Sequence, residues 1–207
     1  MTKTELDAIL KKHTLWLQDK KGGEMANLRF ADLHSVNLRS ANLSFADLCF
    51  ADLRSANLRF ADLHCANLSS VNLRSANLSS ANLSFANLSF TNIRSANLSS
   101  ANLISANLRF ANLHSADLRS ANLSSADLRS ADFDYSCWPL WCGSNNVKVD
   151  KRIAAQLAAH FCALDCTDKD YLKAKADILE FAKMSHRAQD LNLSNSKESH
   201  LSCSISY

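Results

Sequence analysis

The sequence predicts an all-β solenoid, a rod with one column of leucine as its core and helical segments at its ends. Three observations predict it. Residues 26–135 repeat with a period of five and no slip, giving 22 units in 110 residues. A period of five suits neither a regular helix nor a flat strand. The 3 glycines and the single proline of the 207-residue chain all lie outside that block, where an average chain of this length would carry roughly 14 and 10.

The unit is Ala-(Asn/Asp)-Leu-x-x. The first place is Ala except at Val36, Val71 and Thr91, and the third is Leu except at Ile93 and Phe133. Asn fills the second place in 15 units and Asp in 7. The fourth place is mostly Arg, Ser or His, and the fifth mostly Ser or Phe. On an α-helix five residues turn the chain by about 500°, so the leucines would wind around it without forming a stripe. In a strand an odd period sends successive leucines to opposite faces. Within one unit, however, Ala and Leu lie two apart and share a face of an extended segment. One corner per unit then turns every Ala–Leu pair toward a common axis. Four corners close a coil of 20 residues, and 110/20 gives about 5.5 coils. At about 4.8 Å per stacked strand the rod is about 26 Å long. The core is a leucine column that includes Leu28, Leu48, Leu68, Leu88, Leu108 and Leu128. Asn and Asp bond to nearby backbone and tolerate positive φ, so they are expected to make the corners and to ladder between coils.

The tandem pattern over residues 26–135 resembles the pentapeptide-repeat family. The flanks resemble bacterial members: Leu15-Trp16-Leu17 and Gly22-Gly23 before the repeat, and Cys137-Trp138-Pro139-Leu140-Trp141-Cys142-Gly143 after it. The resemblance implies a right-handed quadrilateral β-helix, with the Ala and Leu places pointing inward and the other three outward.

A solenoid needs covers for its end coils. Residues 1–23 read as an N-terminal capping helix over 2–20, with Thr2 and Glu5 as a capping box. Its apolar face is Leu6, Ile9, Leu10, His13, Trp16 and Leu17. Gly22 and Gly23 stop the helix, and residues 24–135 form the β-helix. Residues 136–188 read as a C-terminal cap: a plug of Trp138, Pro139, Leu140 and Trp141, then two helices. The first spans 150–166, with Ile153, Leu157, Phe161 and Leu164 on one face. The second starts from a capping box of Thr167 and Asp170 and buries Tyr171, Leu172, Ile178, Leu179 and Phe181. Residues 189–207 are a polar, Ser-rich tail.

Composition excludes several function classes. Gly22, Gly23 and Gly143 alone cannot write a phosphate loop, a dinucleotide fingerprint or a nucleophile elbow. No cofactor motif is present, and no nucleophile–base–orienter set stands out, so an enzyme is not expected. No stretch has the length and apolarity of a signal peptide or a membrane span, which points to the cytoplasm. The seven cysteines are an odd set and read as reduced thiols. Cys49 and Cys65 fill ordinary repeat places. Cys137, Cys142, Cys162 and Cys166 read as structural thiols, with a disulfide or a zinc site left open by their spacing.

Residues 20 apart stack on one face. One such column is His34, Arg54, Arg74, Arg94, His114 and Asp134. Arg74 and Arg94 share their units with Asn72 and Asn92, so the middle of this face is expected to be positive. Phe30, Phe50, Phe90 and Phe110 form a second column, interrupted at Ser70, and Phe45 and Phe85 stand on the next face with Cys65 between them. An apolar strip of this kind marks an interface. The expected function is a non-enzymatic interaction or scaffold module, a rigid rod that presents the Arg/His column and the Phe strip to a protein partner. A homodimer through the strip or the C-terminal helices is an oligomeric form of the same reading. The alternative that the resemblance implies is a DNA-mimic inhibitor of DNA gyrase or topoisomerase. That role needs regular negative charge, and the repeat is near neutral, with 9 Arg against 8 Asp. Nucleic-acid binding is not expected, since the repeat lacks Lys and no aromatic flanks the Arg column.

Overall fold

The unit at Ala76–Ser80 shows why five residues fold as they do, because each of its N–H groups has an acceptor. Asn77 N–H donates to the Ala56 carbonyl of the preceding coil at 2.9 Å. Leu78 N–H and Ser80 N–H donate to the Asn97 and Ser99 carbonyls of the next coil at 2.7 and 2.9 Å. Ala76 N–H closes a turn on the Leu73 carbonyl at 3.0 Å. Ser79 N–H donates to the side chain of Asn77 at 3.0 Å. Buried backbone donors must be paired. The second-place side chain satisfies the one donor that the coil leaves over, which accounts for Asn or Asp at every second place.

The computed structural model describes residues 1–137, 146–162 and 166–185. Second-place residues pair in parallel with those 20 positions on, from Asn27 with Asp47 to Asn112 with Asp132. Each coil therefore has four sides. Pairing runs past Tyr135 to Cys137, which opposes Asp117, and Lys148 opposes Asp127. From Leu28 to Leu128 every third-place residue is buried, and after the first coil so is every first-place residue.

The corners differ from the expectation. The residue with positive φ is the fifth of each unit, in all 22 units, with φ between 55° and 65°. No second-place Asn or Asp in the repeat has positive φ. The turn closes from the first-place N–H to the preceding Leu carbonyl, with a left-handed residue in its third position, the type II pattern. Asn and Asp act one step earlier, as acceptors for the fourth-place N–H, so they brace the corner without bending at it. The left-handed place holds Ser, Phe, Cys or Tyr and never a β-branched residue, in line with the steric penalty on such side chains there. The expected ladders form on two of the four sides. Asn67, Asn87 and Asn107 each donate to the residue 20 before, as do Asn82 and Asn102, at 3.0–3.5 Å.

Helix α1 spans Lys3–Leu17 and starts with the expected capping box between Thr2 and Glu5. It lies against the first coil. The buried His13 accepts the Ala26 N–H through Nδ1 at 3.1 Å, which places its proton on Nε2. Burial holds its pKa below the usual histidine range, opposed weakly by the Ser44 carbonyl. Leu6 is buried as expected, whereas Trp16 stays 38% exposed. Gly23 is needed for close approach: a Cβ there would lie 2.3 Å from the Trp16 backbone nitrogen.

The chain divides into two compact units, Met1–Val149 and Asp150–Tyr207. In the second, α2 (Lys151–Cys162) packs on α3 (Lys169–Ala182) around Ala159, Cys162 and Ala182. The cap of α3 is Asp168 rather than Thr167, because its carboxylate accepts the N–H groups of Asp170 and Tyr171. Leu157 and Leu172, expected inside, are exposed at 37% and 47%, since the short pair closes on small residues. The plug at Trp138–Trp141, Cys142, Leu164 and the 189–207 tail lie outside the described residues.

Replacing Asn77 by Ala is expected to cost about 1–3 kcal/mol in urea unfolding, the penalty of an unpaired donor. Asn77→Asp, which keeps the acceptor, should cost less. At Ser95, φ 57°, Gly should leave the melting temperature level or raise it, while Val should destabilise by about 2 kcal/mol.

Candidate interaction surface

The fifth-place side chain leaves the coil at a corner, so residues 20 apart there form an edge. The edge of Phe30, Phe50, Phe90 and Phe110 separates the side that carries Arg29, Arg109 and Arg129 from the side that carries Arg54, Arg74 and Arg94. Phe30 and Phe50 are parallel, with centroids 5.2 Å apart and planes within 1°. Phe90 and Phe110 stack likewise at 4.8 Å and 8°. Ser70 divides the edge into these two pairs. Stacking does not bury them: Phe30 remains 69% exposed and Phe90 62%. Arg29 lies over the Phe30 ring at 5.4 Å and Arg109 over Phe110 at 5.5 Å, contacts of cation–π type.

On the next edge, the Phe45 and Phe85 rings meet the imidazole of His64 nearly perpendicularly, each at 5.6 Å. Trp16 of α1 packs edge-on against Phe45 at 6.3 Å and stacks on His13 at 5.6 Å. The N-terminal helix therefore abuts one end of this edge and leaves both Phe rings about half exposed. Sequence reasoning missed Phe60. It stands alone on its edge, between Arg39 at 5.4 Å and Arg59 at 4.6 Å. The signal was legible, since Arg39, Arg59 and Phe60 fall in adjacent places of two stacked units.

In the Arg/His column, the side chain of Arg54 pairs with Asp52 at 2.6 Å. Arg74 and Arg94 are exposed and make no ion pair among the described residues. The side chains of their neighbours Asn72 and Asn92 accept the Arg74 and Arg94 backbone N–H groups, at 3.3 and 3.2 Å, and carry no charge. At the far end Tyr135 lies 5.2 Å from the His114 ring. His114, Asp132 and Asp134 bring one ligand-capable atom each within 4.8 Å of one another.

Arg29–Asp47, Arg54–Asp52, Arg119–Asp117 and Arg129–Asp127 are ion pairs. In the last three the guanidinium hydrogen bonds hold the Asp pKa below the usual carboxylate range, against partial desolvation. A depressed folded-state pKa adds stability above the unfolded value, near 4, that is lost as pH falls through the folded one. The melting temperature should therefore drop as the pH falls below about 4. In Asp52→Asn/Asp117→Asn/Asp127→Asn the drop should be smaller. Asn is the usual residue of that place, so the variant keeps its fold.

The model for pentapeptide repeats matches residues 26–64, 61–99 and 96–134, with 8 copies. No curated protein matches the sequence. Among solved structures, the chain is similar to a pentapeptide repeat protein of the Arabidopsis thaliana thylakoid lumen, at 23% identity and TM-score 0.41, over 71% of this chain and 90% of that one. It is also similar to the pentapeptide repeat protein Rfr23 of the cyanobacterium Cyanothece 51142, at 37% identity and TM-score 0.26, over 48% and 60%. A third is full-length QnrB1, a plasmid-mediated fluoroquinolone resistance protein, at 20% identity and TM-score 0.27, over 66% and 71%. With its five-residue units, its four-sided coils and the family model spanning the whole repeat, the chain belongs to the pentapeptide-repeat family.

Proposed function

We propose that the protein is a non-enzymatic interaction module, a capped right-handed quadrilateral β-helix that docks a protein partner along its Phe30–Phe110 edge and the adjoining Arg74 and Arg94. The observation that carries this reading is the state of that edge. Its rings are ordered by stacking, and two of them by flanking arginines, yet they stay 46–69% exposed. Rigid aromatic groups beside Arg lose little entropy on binding, and they dominate interface cores. The partner's complementary surface is apolar with acidic groups at its rim, to meet Arg74 and Arg94. Members of this family are generally structural or interaction proteins, in keeping with the proposal.

DNA mimicry stays disfavoured. Four of the eight carboxylates of the repeat are paired with Arg, so the sides do not present a continuous negative lattice. Membrane insertion has no support either: among the described residues no helix is long and apolar enough to cross a bilayer.

The test is crosslinking with mass spectrometry in the native host, comparing the wild-type chain with Phe50→Ser/Phe90→Ser. Ser is the commonest residue at the fifth place, so the coil survives the change. Crosslinks from this edge to a defined protein are expected, with at least a ~10-fold loss in the variant. The same captured set from both proteins would refute the edge as the docking site.

A further inference from the structure

One cluster lies apart from the Phe30–Phe110 edge and takes no part in the docking reading. Cys65 occupies a left-handed corner, φ 55°, and is half buried. Its Sγ lies 3.3 Å from Nε2 of His64. Nδ1 of the same ring lies 2.9 Å from Oγ of Ser84, one coil on. The direction of each bond follows from its far end. Asn82 Oδ1 is a carbonyl oxygen and can only accept, so the Ser84 hydroxyl donates to it, at 2.7 Å. The Asn82 amide in turn donates to Asp62 at 3.0 Å. With its proton committed, Ser84 Oγ must accept from His64 Nδ1–H. The neutral imidazole then offers its Nε2 lone pair, and the acceptor faces the Cys65 thiol. The ring cannot swing away, because the Phe45 and Phe85 rings flank it.

We propose that Cys65 is a modification site, a thiol that exchanges with small neutral disulfides and related electrophiles with His64 as its base and Ser84 as a positioning residue. Sγ forms a bond to one sulfur of the disulfide as the S–S bond breaks. The thiol proton passes to His64 Nε2, and the departing thiolate takes it up. One protein thiol and one disulfide thus give one mixed disulfide and one small thiol, with no other oxidant or reductant. Phe45 and Phe85, one coil to either side of Cys65 and each about half exposed, make the approach apolar, which favours an uncharged aromatic reagent. The other described cysteines lack this arrangement. Cys49 and Cys162 are buried. Cys49 meets the Ser69 hydroxyl, at 3.1 Å, and the Arg29 guanidinium. Burial pushes the Cys162 thiol up, away from the reactive thiolate.

The test uses the full-length chain and neutral dithiodipyridine at constant pH, with peptide-resolved mass spectrometry to separate Cys65 from the other thiols. The readout is the ratio of the Cys65 rate to that of exposed Cys137, so a general change in reagent or thiol state cancels. His64→Ser places the repeat's own common fourth-place residue at that position and keeps the coil. It should lower the ratio at least ~10-fold, the low side of what a positioned base contributes. Ser84→Ala keeps the imidazole and frees its tautomer, and it should lower the ratio ~3-fold, a part of that contribution. An unchanged ratio in both variants overturns the assignment. So does an equal fall in both, which would mean loss of local packing rather than loss of a base.

Discussion

The coil depends on one hydrogen bond, from the fourth-place N–H to the side-chain oxygen two residues before it. Four of the five backbone donors in a unit are paired by geometry alone, three with neighbouring coils and one across the corner. The fifth faces neither. Solvent could serve it on an exposed surface, but many fourth-place residues are half buried or buried, as Ser44, Ser84 and Ser89 are. An acceptor carried by the chain itself is therefore part of the unit. A short carboxamide or carboxylate reaches back to that N–H, as in an Asx-turn. From this bond follow the invariance of the second place, the lateral ladders and the ease with which Asp substitutes for Asn.

The same bond explains how a chain poor in glycine turns so often. A left-handed residue other than Gly costs about 1–2 kcal/mol, and the repeat holds 22 of them. Each such corner also brings a turn hydrogen bond and sets up the inter-coil pairs on both sides of it. The penalty is local and the return is shared between coils, as in any solenoid whose units are stable only beside their neighbours. Phe at this place follows from the same geometry. A left-handed corner points its side chain away from the coil, so a ring there stands partly in solvent and meets rings or arginines of its own and the adjacent coils.

The coil was legible in the sequence because its period fits no other regular element, and the buried leucines follow from that period. The bend was misplaced. Asn and Asp are the residues that tolerate positive φ, and composition alone does not separate a residue that bends from one that braces a bend. The Phe edge was readable from spacing, whereas Phe60 went unnoticed for want of a second Phe in its column, although its arginines were in view. The set of Cys65, His64 and Ser84 was harder to see. Its parts stand one and 20 residues apart, and its meaning lies in proton direction, which only the Asn82 oxygen settles. In the C-terminal unit the helices were found and so was part of their buried faces, since Ile153 is buried and Phe161, Ile178 and Leu179 pack on the helix–helix core. The two helices close on Ala and Cys, and that leaves large side chains such as Leu172 outside.

Stacking at intervals of 20 residues gives the repeat two kinds of inheritance. The core reads only the unit, since nearly every unit presents the same Ala and Leu. The surface reads the unit's number modulo four. Deleting or duplicating a single unit would leave the core intact and rotate everything downstream by a quarter turn. The Phe90–Phe110 pair would then fall out of line with Phe30 and Phe50. Length change in steps of four units keeps the edges in phase. The chain can thus grow freely as a structure while its faces can grow only by whole coils, a rule set by the corner alone.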